Sequence, residues 1–208
     1  MKIGLFCGCF DPIHKGHIKA ALTMKEAAGL DIMYLVPANG KYSKYGAAIT
    51  AGEHRLQMCR LAVCGHERLE VCAFEAESTE QPYTIDTVKH FAAVYPEARI
   101  YLCMGEDAAR WVPNWICFRE LRECAGFVVI NRAGVTRDDL LERSGAELIR
   151  VEMKPDGVSS TEIRRALARG MSNIPGLDTK ILRYITDNGL YKAASYNMSV
   201  AFDGQFKL

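Results

Sequence analysis

Short apolar runs alternate along this chain with stretches whose apolar residues recur every three or four positions. Ile3–Phe6 is an apolar run of strand length, and Lys15 to Gly29 follows with helical spacing that Gly29 can end. Ile32–Pro37, bounded by Asp31 and Pro37, reads as a buried strand. Glu53–Val63 places Leu56, Met58, Leu61, Ala62 and Val63 near helical spacing. Leu69–Phe74 predicts a short strand, Thr84–Tyr95 a helix stopped before Pro96, and Arg99–Met104 another apolar strand. Gly126–Ile130 repeats the strand pattern, and Leu148–Val151 repeats it weakly. Ser159 and Glu162 have the spacing of a capping box, so a helix opens there; Leu177–Asn188 is a last helix, closed by Gly189.

Strands alternating with helices predict an α/β fold, a parallel sheet covered on both faces. In such sheets ligands bind at the carboxyl ends of the strands. Residues 1–192 carry this pattern and are read as one domain. Residues 193–208 carry no helical or strand period and are read as a loose tail. Lys41–Gly52 reads as a loop rich in tyrosine and glycine.

Composition narrows the class. The 208 residues suit one domain with a small extension, and 49% apolar content supplies a sizeable core. A net charge of +1 gives no field that would draw nucleic acid or an anionic membrane. No run reaches the ~18 apolar residues of a membrane span. Eight cysteines include no C-x-x-C pair, so a structural zinc site is not expected. Cys7, Cys72 and Cys103 fall in apolar strand-like runs and read as small core residues. A cytoplasmic protein with reduced thiols is the expectation.

The richest chemistry sits where the first strand turns into the first helix, at Gly8-Cys9-Phe10-Asp11-Pro12-Ile13-His14-Lys15-Gly16-His17. Backbone N–H groups and the positive end of a helix dipole meet there, which makes an anion site. Two imidazoles at that place point to phosphate chemistry on a nucleotide. A second phosphate site is expected at Ser160, Thr161 and Arg164: two hydroxyls at a helix start, and a guanidinium one turn on. Asp107, just past a strand, lies on the ligand edge and could also cap the next helix.

Gly8 to His17 resembles the H-x-G-H signature of the nucleotidyltransferase superfamily. Further on come Tyr83-Thr84-Ile85-Asp86-Thr87, Gly105-Glu106-Asp107, Trp111-Val112-Pro113-Asn114-Trp115, Asn131-Arg132-Ala133-Gly134 and Ser159-Ser160-Thr161-Glu162-Ile163-Arg164, in that order. Together they resemble the bacterial nicotinate-nucleotide adenylyltransferases, from about Lys2 to Tyr191. The resemblance implies a Rossmann-like sheet of order 3-2-1-4-5 flanked by helices on both faces. It implies transfer of AMP from ATP to nicotinate mononucleotide, with release of pyrophosphate. His14, His17 and Arg164 would be catalytic. ATP would meet Gly8, Cys9, Phe10, His14, His17, Gly105, Asp107, Ser160, Thr161 and Arg164, with Asp107 on the ribose hydroxyls. The mononucleotide would meet Lys44 and Arg132 through its phosphate, Trp115 through its ring, and the backbone at Tyr83 and Thr84 through its carboxylate.

Mg²⁺ would arrive with ATP, since no carboxylate cluster is evident to hold it. The family usually carries Pro-Pro-His before the basic residue in the second loop, where this chain has Lys41-Tyr42-Ser43-Lys44; Ala133 replaces a usual proline. The sequence leaves open an enzyme preferring or also accepting nicotinamide mononucleotide, a nucleotide sensor without catalysis, and assembly into a homo-oligomer.

Overall fold

Six strands pair side by side in the order β3-β2-β1-β4-β5-β6, every neighbouring pair parallel. They are β1 (Lys2–Gly8), β2 (Ile32–Pro37), β3 (Leu69–Val71), β4 (Arg99–Gly105), β5 (Ala125–Arg132) and β6 (Leu148–Met153). The computed structural model describes residues 1–39, 50–132, 140–154 and 157–192. The reading of residues 193–208 as a tail, and Lys44, lie outside the described residues. The expected order 3-2-1-4-5 is present and gains a sixth strand, because the weak pattern at Leu148–Val151 is a full edge strand on β5.

Helices cover both faces. Side chains alternate along each strand, so a strand buried on both sides reads as an unbroken apolar run. In β4, Ile100, Leu102 and Met104 face one core while Tyr101 and Cys103 face the other. The core that Tyr101 and Cys103 face, the first, packs α1 (Lys15–Ala27), α2 (Gly52–Val63), α7 (Ser160–Ala168) and α8 (Thr179–Asp187) through Ala21, Met24, Met58, Ile163, Ile181 and Ile185. The second packs α3 (Thr84–Val94), α5 (Phe118–Cys124) and the single turn α6 (Leu140–Arg143) through Ile85, Val88, Phe91, Leu121 and Leu141. Between β4 and α5 lie a one-turn helix, α4 (Glu106–Ala109), and a 3₁₀ turn, Val112–Asn114.

Two expectations from the sequence need correction. Strand β3 stops at Val71, which leaves Cys72 half-buried beyond it; Cys7 too is half-buried, at the ligand edge. Only Cys103 of the three is a core thiol, and burial pushes its pKa far up. The helix after β4 is capped by Gly105, and Asp107 lies inside its first turn.

Packing is tight where β4 meets β5. A Cβ on Gly126 would stand 2.7 Å from two ring atoms of Tyr101, whose hydroxyl donates to Glu147 at 2.7 Å. A ring anchored at its far end cannot swing aside cheaply. Gly126→Ala is therefore expected to lose about 1–3 kcal/mol. At ~2–4 °C per kcal/mol for a chain of this size, thermal denaturation followed by circular dichroism reads that as a drop of several degrees.

Candidate active site

The turn from β1 into α1 is held from several sides. Phe10 takes a left-handed conformation (φ 47°), and His14, in extended conformation, is the N-cap of α1. Asp11, His14 and Phe10 are buried. The carboxylate of Asp11 accepts from the Tyr191 hydroxyl, and its carbonyl accepts from Arg164 Nη1 at 2.6 Å. The next carbonyl, Pro12, accepts from Ser160 Oγ at 2.9 Å. The Lys15 N–H donates to the Gly176 carbonyl at 2.9 Å. Burial and the adjacent Asp11 carboxylate push the Tyr191 phenol far up, so it stays a neutral donor.

Within the turn the two histidine rings stack, centroids 3.8 Å apart. The His14 backbone N–H donates to His17 Nδ1 at 3.3 Å. An Nδ1 that accepts carries no proton, so neutral His17 holds its proton on Nε2 and presents that nitrogen as a donor. The edge of Phe10 against the His17 ring, centroids 5.1 Å apart, fixes the ring further.

The start of α7 docks on this turn through Ser160 and Arg164, which bond to the Pro12 and Asp11 carbonyls, in the turn that carries His14 and His17. The Ser160 and Thr161 hydroxyls are engaged differently from expectation. Ser160 spends its O–H on Pro12, and Thr161 Oγ1 accepts from Arg164 Nη2 at 3.3 Å. Ser159 caps the helix as its spacing to Glu162 predicts, accepting from the Glu162 N–H at 3.2 Å. Thr161, which accepts from Arg164, keeps its O–H, so the anion-binding capacity here lies in the α7 backbone, the Thr161 hydroxyl and the N–H groups the Arg164 fork does not give to Asp11 and Thr161.

On the other face of the sheet, a cavity of about 310 Å³ opens at the carboxyl ends of β1 and β4. These two strands flank the point where the strand order reverses, the place where open α/β sheets bind ligands. Tyr83, Thr84 and Trp115 all line the cavity, together with Cys7, Gly8, Cys9, Asn39, Glu75 and Cys103. Gly8 and Cys9 thus form the boundary between the histidine turn and the cavity. Trp115 follows the 3₁₀ turn, its N–H bonded to the Val112 carbonyl at 2.9 Å. The Tyr83 N–H donates to Asp86 Oδ2 at 2.8 Å, so it is spent on capping α3 and does not face a ligand carboxylate.

Gly105 closes β4 with an ordinary φ of −81°, and a Cβ there would meet nothing within 4 Å. Conformation does not require a glycine at that point; its effect is to leave the strand end open to close approach. Asp107 is exposed, 3.6 Å from Arg110 Nη2, an ion pair too wet to hold it firmly. Arg132 is the last residue of β5, on the same edge of the sheet. Among the described residues no three His, Cys, Asp or Glu side chains converge as a metal site, and no helix is long and apolar enough to cross a membrane.

The model of the cytidylyltransferase-like family matches residues 5–166. A Geobacillus thermodenitrificans protein named probable nicotinate-nucleotide adenylyltransferase is 32% identical over 92% of this chain and 87% of its own length. A Neisseria meningitidis protein of the same name is 35% identical over 92% of this chain and 98% of its own. The chain belongs to the nicotinate-nucleotide adenylyltransferase family. Its fold also matches a Plasmodium falciparum nicotinic acid mononucleotide adenylyltransferase solved with NaAD, with TM-score 0.73, 19% identity, and 95% and 98% of the two chains covered.

Four residues that frame this adenylyltransferase site were not picked out from the sequence: Arg55, Asn39, Glu75 and Tyr191. Arg55 is completely buried. Its Nε donates to the Thr50 carbonyl at 3.0 Å, Nη1 to Cys9 at 2.8 Å and Nη2 to Ala38 at 2.8 Å. Asn39 Nδ2 donates to the Ser78 and Glu80 carbonyls at 2.7 and 3.0 Å. A signal for Arg55 existed: it stands at helical spacing from Met58 and Cys59, on the apolar stripe of α2.

Arg55→Lys keeps the charge but replaces a planar fork by a point donor. We expect it to lose on the order of 2–4 kcal/mol, since buried carbonyls are left unmatched. It should also raise KM for both substrates, because Cys9 borders both halves of the site. Urea denaturation and initial-rate kinetics read the two effects.

Proposed function

We propose that the two half-sites flanking Gly8 and Cys9 bind ATP and nicotinate mononucleotide and join them, releasing pyrophosphate and nicotinate adenine dinucleotide. The observation that carries this reading is the juxtaposition itself. A histidine turn at a helix N-terminus and an aromatic-walled cavity share one strand end. The catalytic domain is residues 1–192, acting on substrates in the cytoplasm.

An oxygen of the mononucleotide phosphate attacks the α-phosphorus of ATP. The new O–P bond forms as the bond to the bridging oxygen of the β-phosphate breaks, and pyrophosphate leaves with that electron pair. The attacking oxygen is an anion at neutral pH, so no strong general base is needed. The protein's task is alignment and neutralisation of charge in the transition state. His17, through Nε2–H, and His14 donate to the ATP phosphates. Arg164 and the N-terminal amides of α7 hold the oxygens that become pyrophosphate. Mg²⁺ enters as part of the ATP substrate and spreads the triphosphate charge.

Gly8, Cys9 and Phe10 shape the floor under the nucleotide, Gly105 lets it approach the strand end, and Asp107 accepts from ribose hydroxyls. Across the boundary, Trp115 stacks on the pyridine ring and the first amides of α3, from Thr84 onward, receive its carboxylate. Lys44 and Arg132 hold the mononucleotide phosphate.

Pyrophosphate release with ATP–Mg²⁺ and nicotinate or nicotinamide mononucleotide, run in parallel, tests the reading. Preference for the acid supports it, preference for the amide moves the substrate assignment, and no release with either defeats it. His17→Ala should lower kcat by about 10²–10³ while the protein stays folded, with a cooperative thermal transition. Near-normal turnover in that variant would remove His17 from the mechanism.

A further inference from the structure

A carboxylate lies in the wall of the mononucleotide cavity. Glu75 is 7% exposed, lines the cavity, and accepts from the Thr87 hydroxyl at 2.7 Å. Thr87 is completely buried in α3, so the brace is part of the fold. The same cavity is bounded by Thr84, the first residue of α3, where the helix dipole is positive. The wall is otherwise largely apolar, with Leu5, Leu102, Cys103 and Met104 from the strands and Trp115 opposite the sheet edge. The cavity therefore carries a helix N-terminus, its Tyr83 N–H capped by Asp86, and about one turn along that helix a buried carboxylate, in surroundings of low dielectric.

The base of nicotinate mononucleotide is bipolar. Its ring nitrogen, bonded to ribose, is a quaternary cation, and its substituent is a carboxylate. With the substituent at the α3 N-terminus, the complementary place for Glu75 is beside the cationic ring. The opposite docking would set two carboxylates together and the cation against the helix dipole. Low dielectric makes that difference large.

We infer that Glu75 is the specificity residue that reads the positive charge of the pyridinium ring, so that the cavity selects mononucleotides with a cationic base over those with a neutral one. The inference rests on the mononucleotide reading of the cavity. Thr87 acts through Glu75 as a positioning residue, holding the carboxylate against the wall.

The 1,4-dihydro form of nicotinate mononucleotide keeps the ring, carboxylate, ribose and phosphate but loses the ring charge. Calorimetric binding of the oxidised and dihydro forms to the wild-type protein should favour the oxidised form roughly tenfold or more. Glu75→Gln, which can still accept from Thr87, should bring the two affinities within about twofold, mainly by weakening the oxidised form. Glu75→Asp should fall between them. Equal affinities in the wild type overturn the inference without recourse to any variant. So does an unchanged ratio in Glu75→Gln, which would make Glu75 a brace for Thr87 alone. If Glu75→Gln instead raises the preference for nicotinate over nicotinamide mononucleotide and leaves the charge ratio intact, Glu75 faces the carboxyl substituent and the inference is wrong. Failure of the wild type to bind oxidised nicotinate mononucleotide at all defeats the underlying reading of the cavity, an outcome separate from the other three.

Discussion

A buried guanidinium holds this site together. Arg55 has no exposed surface, and its Nε, Nη1 and Nη2 go to the carbonyls of Thr50, Cys9 and Ala38. Those carbonyls belong to the residue after β1, the residue after β2 and the approach to α2, so the guanidinium ties the start of α2 to two strand ends that already pair at Gly8 and Pro37. Burying a cation costs several kcal/mol unless dipoles replace its lost water. Here they do, and the planar fork forces the three dipoles into one geometry. The position of Cys9, on which both half-sites border, is set by that arrangement.

The second constraint is the reversal of strand order between β1 and β4. The helix directly after β1 covers one face and the helices directly after β4 the other, so the strand ends at this point stay uncovered. The histidine turn packs through Phe10 and Ile13 into the α1 face, while Trp115 and Ile85 belong to the α3 face. Each face supplies its own helix N-terminus at this strand end, α1 with α7 on one side and α3 on the other. In the proposed function that topology lets two anionic substrates approach Gly8–Cys9 from opposite faces of the sheet.

How much of this is legible in the sequence depends on the range of the interaction. The strands and the principal helices were legible because both cores impose an unbroken apolar pattern on β1, β2, β4 and β5. The histidine turn was legible because its residues are contiguous. Tyr83, Thr84 and Trp115 could be named from their segments, but only the fold brings them to one cavity. What was hidden is how particular groups are spent, some on distant partners and some on local caps. Ser160 at a helix start looks like a ligand hydroxyl, yet its proton goes to Pro12, distant in sequence. Tyr83 looks like an available amide, yet Asp86 claims it. Asp107 looks like a cap, yet Gly105, with no side chain, occupies that place. Glu75 sits in a polar stretch that gives no period, and only the hydroxyl of Thr87 shows that it turns inward.

The same reasoning explains why the end of the described chain matters to its beginning. Asp11 and Tyr191 are 180 residues apart, and their hydrogen bond is buried. Gly176 holds Lys15, and Arg164 and Ser160 hold the carbonyls of Asp11 and Pro12. A turn containing a residue at positive φ is strained and persists only where its surroundings over-determine it. In this chain those surroundings come from α7, the Gly176 segment and Tyr191, all close to the carboxyl end. The anion site at the amino end is therefore incomplete without the last helices. Phosphate chemistry written into residues 8–17 becomes a working geometry only through residues 159–191.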